Sequence, residues 1–177
     1  MQHIHKPHAH GKIRNGRTKD VHHQARRADP TSSALSTQMK YRIQREEAPL
    51  SVLALDEECF PHDDRVSVDD SIWWLVWCGK KVVGYAGLRL CKAEYNRGVG
   101  FLCRVGVVRK HRGHGLQKRL IRVRDAAARA IGLNELVTYC VAWNCASINS
   151  LIACGYKFYR PATKSGGSGA VYLRKVL

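Results

Sequence analysis

The sequence predicts a mixed α/β (α+β) fold, in which helices flank a largely antiparallel sheet. Three observations predict it. Apolar runs typical of strands alternate with amphipathic stretches in the order β-α-β-β-β-α-β-α-β. The run at 71–78 is followed by Gly79-Lys80 and a second run at 81–93, a β-hairpin pattern. From Leu116 onward, apolar residues recur at spacings of three and four, as on one face of a helix.

Each predicted strand is a run of apolar, aromatic or β-branched residues bounded by turn residues. Strands are expected at 39–46, 71–78, 81–93, 101–108, 135–142, 156–159 and 170–176. Helices are expected at 48–60, 116–131 and 144–154, ended by Pro61, Gly132 and Gly155. Their expected buried faces are Leu50, Leu53, Leu55 and Phe60 in the first, and Leu116, Leu120, Val123, Ala127, Ala130 and Ile131 in the second.

Residues 1–38 differ in composition from the rest of the chain. They hold six of the nine histidines, only two acids and hardly any large apolar residue. Such a segment buries too little surface to offset its ordering entropy, so we expect a disordered basic arm at 1–38 and one domain at 39–177. If nucleic acid binds, we expect it to bind only through this arm.

The net charge of +16 over 177 residues requires an anionic partner. A phosphorylated cofactor, a nucleic acid and an acidic membrane surface are the candidate classes. Seven cysteines form no CxxC pair, which favours reduced thiols and argues against a metal site. No apolar run approaches the roughly 20 residues of a membrane span, and no hydrophobic signal core begins the chain. We therefore expect a cytoplasmic protein with no membrane partner, either a monomer or a homodimer.

The turn before the long helix lacks a conventional N-cap. No Ser, Thr, Asp or Asn lies between Arg109 and Gly115, whereas Gly113, Gly115 and several cations do. Exposed backbone N–H groups at a helix N-terminus attract anions, so a phosphate is a candidate cap. The alternative is a basic surface turn whose amides are hydrated.

Two stretches then resemble the GNAT family of N-acetyltransferases. Val105-x-Val107 followed by Arg112-Gly113-His114-Gly115-Leu116 resembles motif A of that family. Asn144-x-x-Ser147 followed by Gly155-Tyr156 resembles its later motif, at matching separation. The predicted element order also agrees from residue 39 onward. The likeness is greatest to the small members from bacteria and their phages, and implies the acyl-CoA N-acyltransferase (GNAT) fold.

The resemblance implies acetyl-CoA as co-substrate and no metal. In the family, the strand before the turn contacts the pantetheine arm, the turn and helix start hold the pyrophosphate, and the later asparagine meets the cofactor. The residues that match these positions are Val105, Gly106, Val107, Arg112, Gly113, His114, Gly115, Leu116, Gln117 and Asn144. For Asn144, a plain helix N-cap is the alternative, and both roles are compatible.

Two departures concern the chemistry. Gln117 stands where the family pattern has a small residue, so its side chain must point away from the phosphates or hydrogen-bond them. Leu151 stands where many relatives have the tyrosine that protonates the leaving thiolate, which leaves Ser150 and Tyr156, with Tyr159 nearby, as candidate acids. The candidate base is Glu94, the acid nearest to the strand at 101–108, with a surface carboxylate as the alternative. If neither acts, proximity and backbone N–H groups remain as the means of catalysis.

Seven of the fourteen acids fall between positions 56 and 70, against the basic background: Asp56, Glu57, Glu58, Asp63, Asp64, Asp69 and Asp70. In relatives this region forms one wall of the acceptor site. An acidic wall attracts a cationic amine, whereas the alternative is a solubilising loop. Nearby, Trp73 and Trp77 are expected on one face of their strand and Trp74 on the other.

The resemblance implies an N-acetyltransferase that transfers acetyl from acetyl-CoA to a primary amine by direct attack. The acceptor is a small cationic molecule or a protein or peptide amine. The alternative is a weakly active or inactive module that keeps the CoA-binding fold and binds nucleic acid or the ribosome through its basic surface.

Overall fold

A seven-stranded sheet forms the centre of the computed structural model, which describes residues 39–47, 50–90 and 97–177. The strands are β1 (Tyr41–Glu46), β2 (Ser71–Cys78), β3 (Lys81–Arg89), β4 (Val99–Val107), β5 (Glu135–Val141), β6 (Lys157–Phe158) and β7 (Ala170–Val176). Their order is β1-β2-β3-β4-β5-β7-β6, and only the β4–β5 pair is parallel within the described residues. The mixed, largely antiparallel sheet is confirmed.

Three α-helices occur in the described residues, and they lie where the sequence predicts them. They are α1 (Leu50–Cys59), α2 (Leu116–Ala130) and α3 (Cys145–Ile152). A short 3-10 helix, Arg109–His111, precedes α2. Gly132 and Gly155 follow α2 and α3 with φ of 79° and 90°, the left-handed conformation that favours glycine at a helix end. The arm predicted at 1–38 lies outside the described residues and stays a prediction.

Strand β2, second from one edge of the sheet, is buried on both faces, because each face packs against a separate core. Trp73 and Leu75 pack with Val52 and Leu55 of α1. Trp74, on the opposite face, packs in a larger core that includes the apolar residues of α2 and α3. The predicted alternation of the tryptophans is confirmed, with the half-buried Trp77 beside the α1 core.

The buried faces of α1 and α2 were predicted only in part. Leu50 is 76% exposed, whereas the buried residues of α1 are Val52, Leu55 and Asp56. The buried residues of α2 are Leu116, Leu120, Ile121, Arg124, Asp125 and Ala128, whereas Ile131 and Ala130 are exposed. Both faces include charged residues with polar partners inside the protein, and apolar periodicity cannot detect such residues.

Strands β4 and β5 separate soon after they meet. They pair only from Val99↔Glu135 to Phe101↔Val137, and beyond Phe101 the two strands diverge. On the other side of β4, Ala86 of β3 pairs with Val105 and Gly87 with Cys103, so Arg104 is the extra residue of a β-bulge. The divergence opens a cleft in the sheet, and the bulge turns one arginine out of the strand register beside it.

Candidate functional site

The first cavity lies at the turn between β4 and α2 and has a volume of about 490 Å³. We call it the turn cavity. Its walls are the end of β4, the turn, the start of α2 and one side of α3. The lining includes Val105, Gly106, Val107, His111, Arg112, Gly113, Gly115, Leu116, Gln117, Lys118, Asn144, Ala146, Ser147 and Ser150, with Phe60.

Two glycines shape the turn. Gly113 and Gly115 have φ of 82° and 69°, in the left-handed region, and a Cβ at either position would meet no atom within 4 Å. Gly115 is the N-cap of α2 and offers no side-chain hydrogen bond to the first turn of the helix. Within the described residues, that turn holds no acid either. The open space, the uncapped helix start and its positive dipole end together favour an anion.

The structure also shows how the turn is held. Arg112 Nε donates to the carbonyl oxygen of Val107 at 2.9 Å, which ties the turn back to β4. His111 is 8% exposed, and its Nδ1 lies 3.2 Å from the Tyr41 hydroxyl. Burial, with the nearby Lys110 charge, lowers the pKa of His111 from its ordinary value. The contacts of Arg112 and His111 tie the turn to β4 and to Tyr41 of β1.

Gln117 and Asn144 both contact Ser147. Gln117 Nε2 donates to Ser147 Oγ at 2.9 Å, so the glutamine side chain reaches across to α3. Asn144 Oδ1 accepts from the Ser147 backbone N–H at 3.1 Å, as a helix N-cap does. The N-cap role of Asn144 is thus observed, and the residue also lines the turn cavity.

The second cavity, of about 550 Å³, fills the cleft where β4 and β5 diverge. We call it the strand cavity. Residues from β3, β4, β5, β7, α2, α3 and the loops at 60–67 and 167–168 line it. It shares five lining residues with the turn cavity, namely Phe60, Val105, Gln117, Asn144 and Ser147. The two cavities therefore adjoin along β4 and the start of α2 and α3.

One wall of the strand cavity is held by a buried charge network. Asp56 of α1 is 3% exposed and accepts from Arg104 Nε at 2.6 Å and from Arg104 Nη2 at 3.1 Å. The Tyr85 hydroxyl and the Val66 backbone N–H also donate to this carboxylate. Burial opposes the charged form, but the hydrogen bonds from Arg104 and Tyr85 and the Arg104 charge outweigh it, so the pKa of Asp56 lies below its ordinary value.

Arg104 continues this network into the loop that follows α1. Its Nη1 donates to Asp63 at 3.1 Å and its Nη2 to the carbonyl oxygen of Asp64 at 3.3 Å. The guanidinium also lies over the Phe60 ring, 4.3 Å from its centroid. Asp56 and Arg104 therefore fix the position of the loop at 60–66 relative to β4.

The predicted acidic wall is smaller than expected. Asp56 forms an ion pair with Arg104, and Asp63 is paired with the same guanidinium. Among the described residues, Asp63 and Asp64 are the carboxylates that line the strand cavity, and the other four acids of the run lie elsewhere. The acidic wall therefore consists of two carboxylates in the described residues, because sequence shows where acids cluster but not which of them are already paired.

The candidate base Glu94 lies outside the described residues, whereas the candidate acid Ser150 lies within them. Ser150 lines the turn cavity, and its hydroxyl donates to the carbonyl oxygen of Ala146 at 2.9 Å. Leu151 is buried and lines the strand cavity.

Tyr156 is poorly placed to be the acid. It is 2% exposed, lines neither cavity, and its hydroxyl donates to Asp125 Oδ1 at 2.7 Å. Burial raises the pKa of this tyrosine far above its ordinary value, and the Asp125 carboxylate adds to the effect. The sequence placed Tyr156 near the site because it follows α3 directly, but its ring enters the core. The core position of Tyr156 therefore argues against the predicted role of this residue as the acid.

His114 is the one predicted cofactor residue outside both cavities; the other nine line the turn cavity. It is exposed, and its ring lies against Tyr41 with centroids 5.5 Å apart. The sequence reasoning assigned no cofactor role to His111, Ala146 or Ser147, which also line the turn cavity. Ala146 and Ser147 follow the predicted Asn144 closely, whereas the buried His111 carries no local signal.

The described residues contain no cluster of His, Cys, Asp or Glu that could hold a metal ion. The six cysteines in the same ranges are free. None of the helices found there is long and apolar enough to cross a membrane.

Comparisons with known proteins agree with this geometry. The sequence profile of the acetyltransferase (GNAT) family matches residues 37–156. None of the curated proteins searched matches this chain.

Solved structures that resemble the chain are acetyltransferases. A Bacillus subtilis acetyltransferase in complex with CoA has 16% identity, covers 78% of this chain and 99% of its own, and superposes with a TM-score of 0.63. A Salmonella typhimurium acetyltransferase with its cofactor acetyl-CoA has 17% identity, coverage of 77% and 93%, and a TM-score of 0.62.

The ribosomal-protein-S18-alanine N-acetyltransferase of Escherichia coli has 14% identity, coverage of 76% and 92%, and a TM-score of 0.61. At such identities the structures establish the acyl-CoA N-acyltransferase fold. Because the family profile spans most of the chain, this protein belongs to the acetyltransferase (GNAT) family.

Proposed function

We propose that this protein transfers an acetyl group from acetyl-CoA to a primary amine by direct attack. The observation that carries the proposal is the continuity of the two cavities. An uncapped helix start with two left-handed glycines adjoins, through five shared lining residues, a cleft where β4 has lost its partner strand. A phosphate-bearing thioester has room for its phosphates in one cavity and for its acyl group in the other.

In this proposal the turn cavity binds acetyl-CoA. The backbone N–H groups at Gly113, Gly115, Leu116 and Gln117 hold the pyrophosphate, and Arg112 and Lys118 add positive charge. Because the Gln117 side chain is bonded to Ser147, its backbone is the part left to face the phosphates. The separated edge of β4 at 105–107 takes the pantetheine arm, beside Asn144.

The reaction joins the amine nitrogen to the acetyl carbonyl carbon and breaks the carbon–sulfur bond. The amine loses one proton, and the CoA thiolate accepts one as it leaves. The amine needs a proton acceptor, and Glu94 remains the proposed base, acting directly or through water. Of the candidate acids, Ser150 remains, because it lines the turn cavity, whereas the core position of Tyr156 argues against that residue.

The acceptor amine approaches through the strand cavity. Asp63 is paired with Arg104, whereas Asp64 forms no ion pair within the described ranges and lines the cavity. An ammonium group is attracted to this rim. Both a small amine and a protein or peptide amine fit the proposal. The E. coli structure named above belongs to an enzyme for a ribosomal-protein alanine, so this fold accommodates protein amines.

The experiment incubates the full chain with acetyl-CoA and a panel of small amines, amino acids and peptides, and measures released CoA thiol. We expect release above the hydrolysis background with at least one amine, together with the acetylated product by mass spectrometry. Gly115→Asp serves as the control variant that should not bind acetyl-CoA, and it should show no amine-dependent release of thiol. Binding of acetyl-CoA without release across the panel would instead favour a CoA-binding module that has no turnover.

A further inference from the structure

Helix α2 buries an arginine that has no carboxylate partner among the described residues. Arg124 is 2% exposed. Its Nε donates to the carbonyl oxygen of Leu120 at 3.0 Å. Its Nη1 donates to the carbonyl oxygens of Gly87 and Cys103, at 3.0 and 3.2 Å. All three acceptors are neutral, so backbone dipoles rather than a counter-ion hold this charge.

The carboxylate next to Arg124 in the sequence is already taken. Asp125 Oδ2 accepts from Lys175 Nζ at 2.6 Å, and its Oδ1 accepts from the Tyr156 hydroxyl. Burial lowers the pKa of Arg124 from its ordinary value, because the charged form has lost its hydration. A buried cation without an anion is costly, and natural proteins usually pair such a group.

The guanidinium still has donors to offer. It carries five N–H groups, of which Nε uses one and Nη1 uses two. The two N–H groups of Nη2 have no protein acceptor in the described parts of the chain. Every fully buried side-chain nitrogen or oxygen there does have a hydrogen-bond partner, so Nη2 is not sealed in the core. Arg124 lines the strand cavity, and Nη2 is the part of its guanidinium that is left without an acceptor in the described residues.

We propose that Arg124 binds a carboxylate group of the substrate inside the strand cavity, through Nη2. The inference rests on the proposed function, because it assigns a second group to the substrate of the same site. Two substrates can supply the carboxylate. One is the acyl chain of a dicarboxylic acyl-CoA, and the other is an amino acid that serves as the acceptor.

The other three arginines of this cavity are less buried than Arg124. Arg65 is exposed, and Arg104 is paired with Asp56 and Asp63. Arg89 donates from Nη2 to the carbonyl oxygen of Ser67 at 3.4 Å and is only half-buried. An amino acid acceptor would find opposite charges for both of its groups here, with Asp64 for the ammonium and Arg124 for the carboxylate.

The test compares ligands that differ only in a carboxylate, on the full chain. In the donor arm, calorimetry compares succinyl-CoA with butyryl-CoA, which has the same four-carbon chain. In the acceptor arm, thiol release from acetyl-CoA compares free amino acids with their α-amides. In the arm that contains the actual source of the carboxylate, we expect at least about a tenfold preference for the ligand that carries this group. The preference is measured as Kd in the donor arm and as kcat/KM in the acceptor arm.

Variants then test whether Arg124 causes this preference for a carboxylate. Arg124→Gln should abolish it, whereas Arg89→Gln, on the same cavity, should keep it. If Arg124→Gln does not fold, the ratio of the two ligands measured on the wild-type protein decides whether a carboxylate is preferred. Arg124→Lys then serves as the variant that retains a positive charge. A preference that survives Arg124→Gln would overturn the proposal. So would an equal fall in turnover for both members of a pair, which would point to the thioester carbonyl instead.

The wild-type result distinguishes a failure of this inference from a failure of the proposed function. Acetyl-CoA binding and amine acetylation with no carboxylate preference in either arm would overturn the role of Arg124 alone. Failure of the wild-type chain to bind acetyl-CoA would contradict the proposed function itself.

Discussion

The turn cavity and the strand cavity adjoin, yet they are assembled in different ways. The turn cavity comes almost entirely from two short segments, 105–118 and 144–150, and its shape depends on backbone conformation. The strand cavity collects residues from six elements and loops that lie up to about 100 positions apart in the chain. It depends on buried charges whose partners lie on other elements. A local site tolerates changes in the distant core, whereas a dispersed site does not.

The largest effect that tests this difference is expected from Asp56→Asn. The change leaves Arg104 without its buried carboxylate, which costs about 3 to 5 kcal/mol of unfolding free energy. The loop at 60–66 should then lose its fixed position, and the KM for the acceptor should rise. The Kd for acetyl-CoA should stay within about threefold, because Phe60 is the one residue of this loop that lines the turn cavity in the described residues. Urea unfolding and calorimetry measure the two quantities.

Asp63→Asn is the matched control for that variant. Asp63 contacts the same guanidinium, but its side chain is 52% exposed, so the change should cost less than about 1 kcal/mol. Equal losses of stability in the two variants would show that burial of Asp56 does not set the strength of this network.

A smaller effect is expected from Gln117→Ala, at the boundary of the two cavities. The change removes the hydrogen bond to Ser147 and should cost about 1 kcal/mol of stability, as should Ser147→Ala. Alanine suits the helix at this position, so the Kd for acetyl-CoA should change less than about threefold. A tenfold weaker Kd in Gln117→Ala alone would show that the glutamine side chain contacts the cofactor.

The smallest effect is expected from deletion of residues 1–38. If these residues form a separate arm, the Kd for acetyl-CoA should stay within about twofold, because the residues that line the turn cavity in the described parts of the chain lie between positions 60 and 150. A loss greater than tenfold, measured by calorimetry on the 39–177 chain, would place the arm in the site.

Most of the fold and the turn cavity could be predicted from the sequence, because their signals are local. The hairpin at Gly79-Lys80, the glycines around α2 and the N-cap Asn144 each act within a few residues of the chain. The family resemblance is carried by the same local segments, so it added the cofactor to a feature that was already visible.

The strand cavity could not be predicted in the same way. Arg124 and Asp125 look like exposed helix residues in the sequence, and Asp56 looks like one member of an acidic wall. Their burial follows from partners 21 to 50 positions away. Tyr156 shows the reverse error, since a residue close to the site in sequence turns into the core. No pattern within a window of ten residues contains that information.

The most direct test of the account measures two ligands against two proteins by calorimetry. Acetyl-CoA and S-acetylpantetheine share the thioester arm, but only acetyl-CoA has the pyrophosphate. Gly115→Asp places a negative charge at the turn, and Gly132→Asp places the same residue at the other end of α2, where φ is also left-handed and the space is also open.

We expect the wild-type protein to bind acetyl-CoA in the micromolar range. Gly115→Asp should weaken that binding by at least about 100-fold, through repulsion of the pyrophosphate, and leave S-acetylpantetheine unchanged. Gly132→Asp should bind both ligands as the wild type does. Acetyl-CoA affinity that is the same in Gly115→Asp and wild type would contradict the claim that this turn holds the cofactor phosphates.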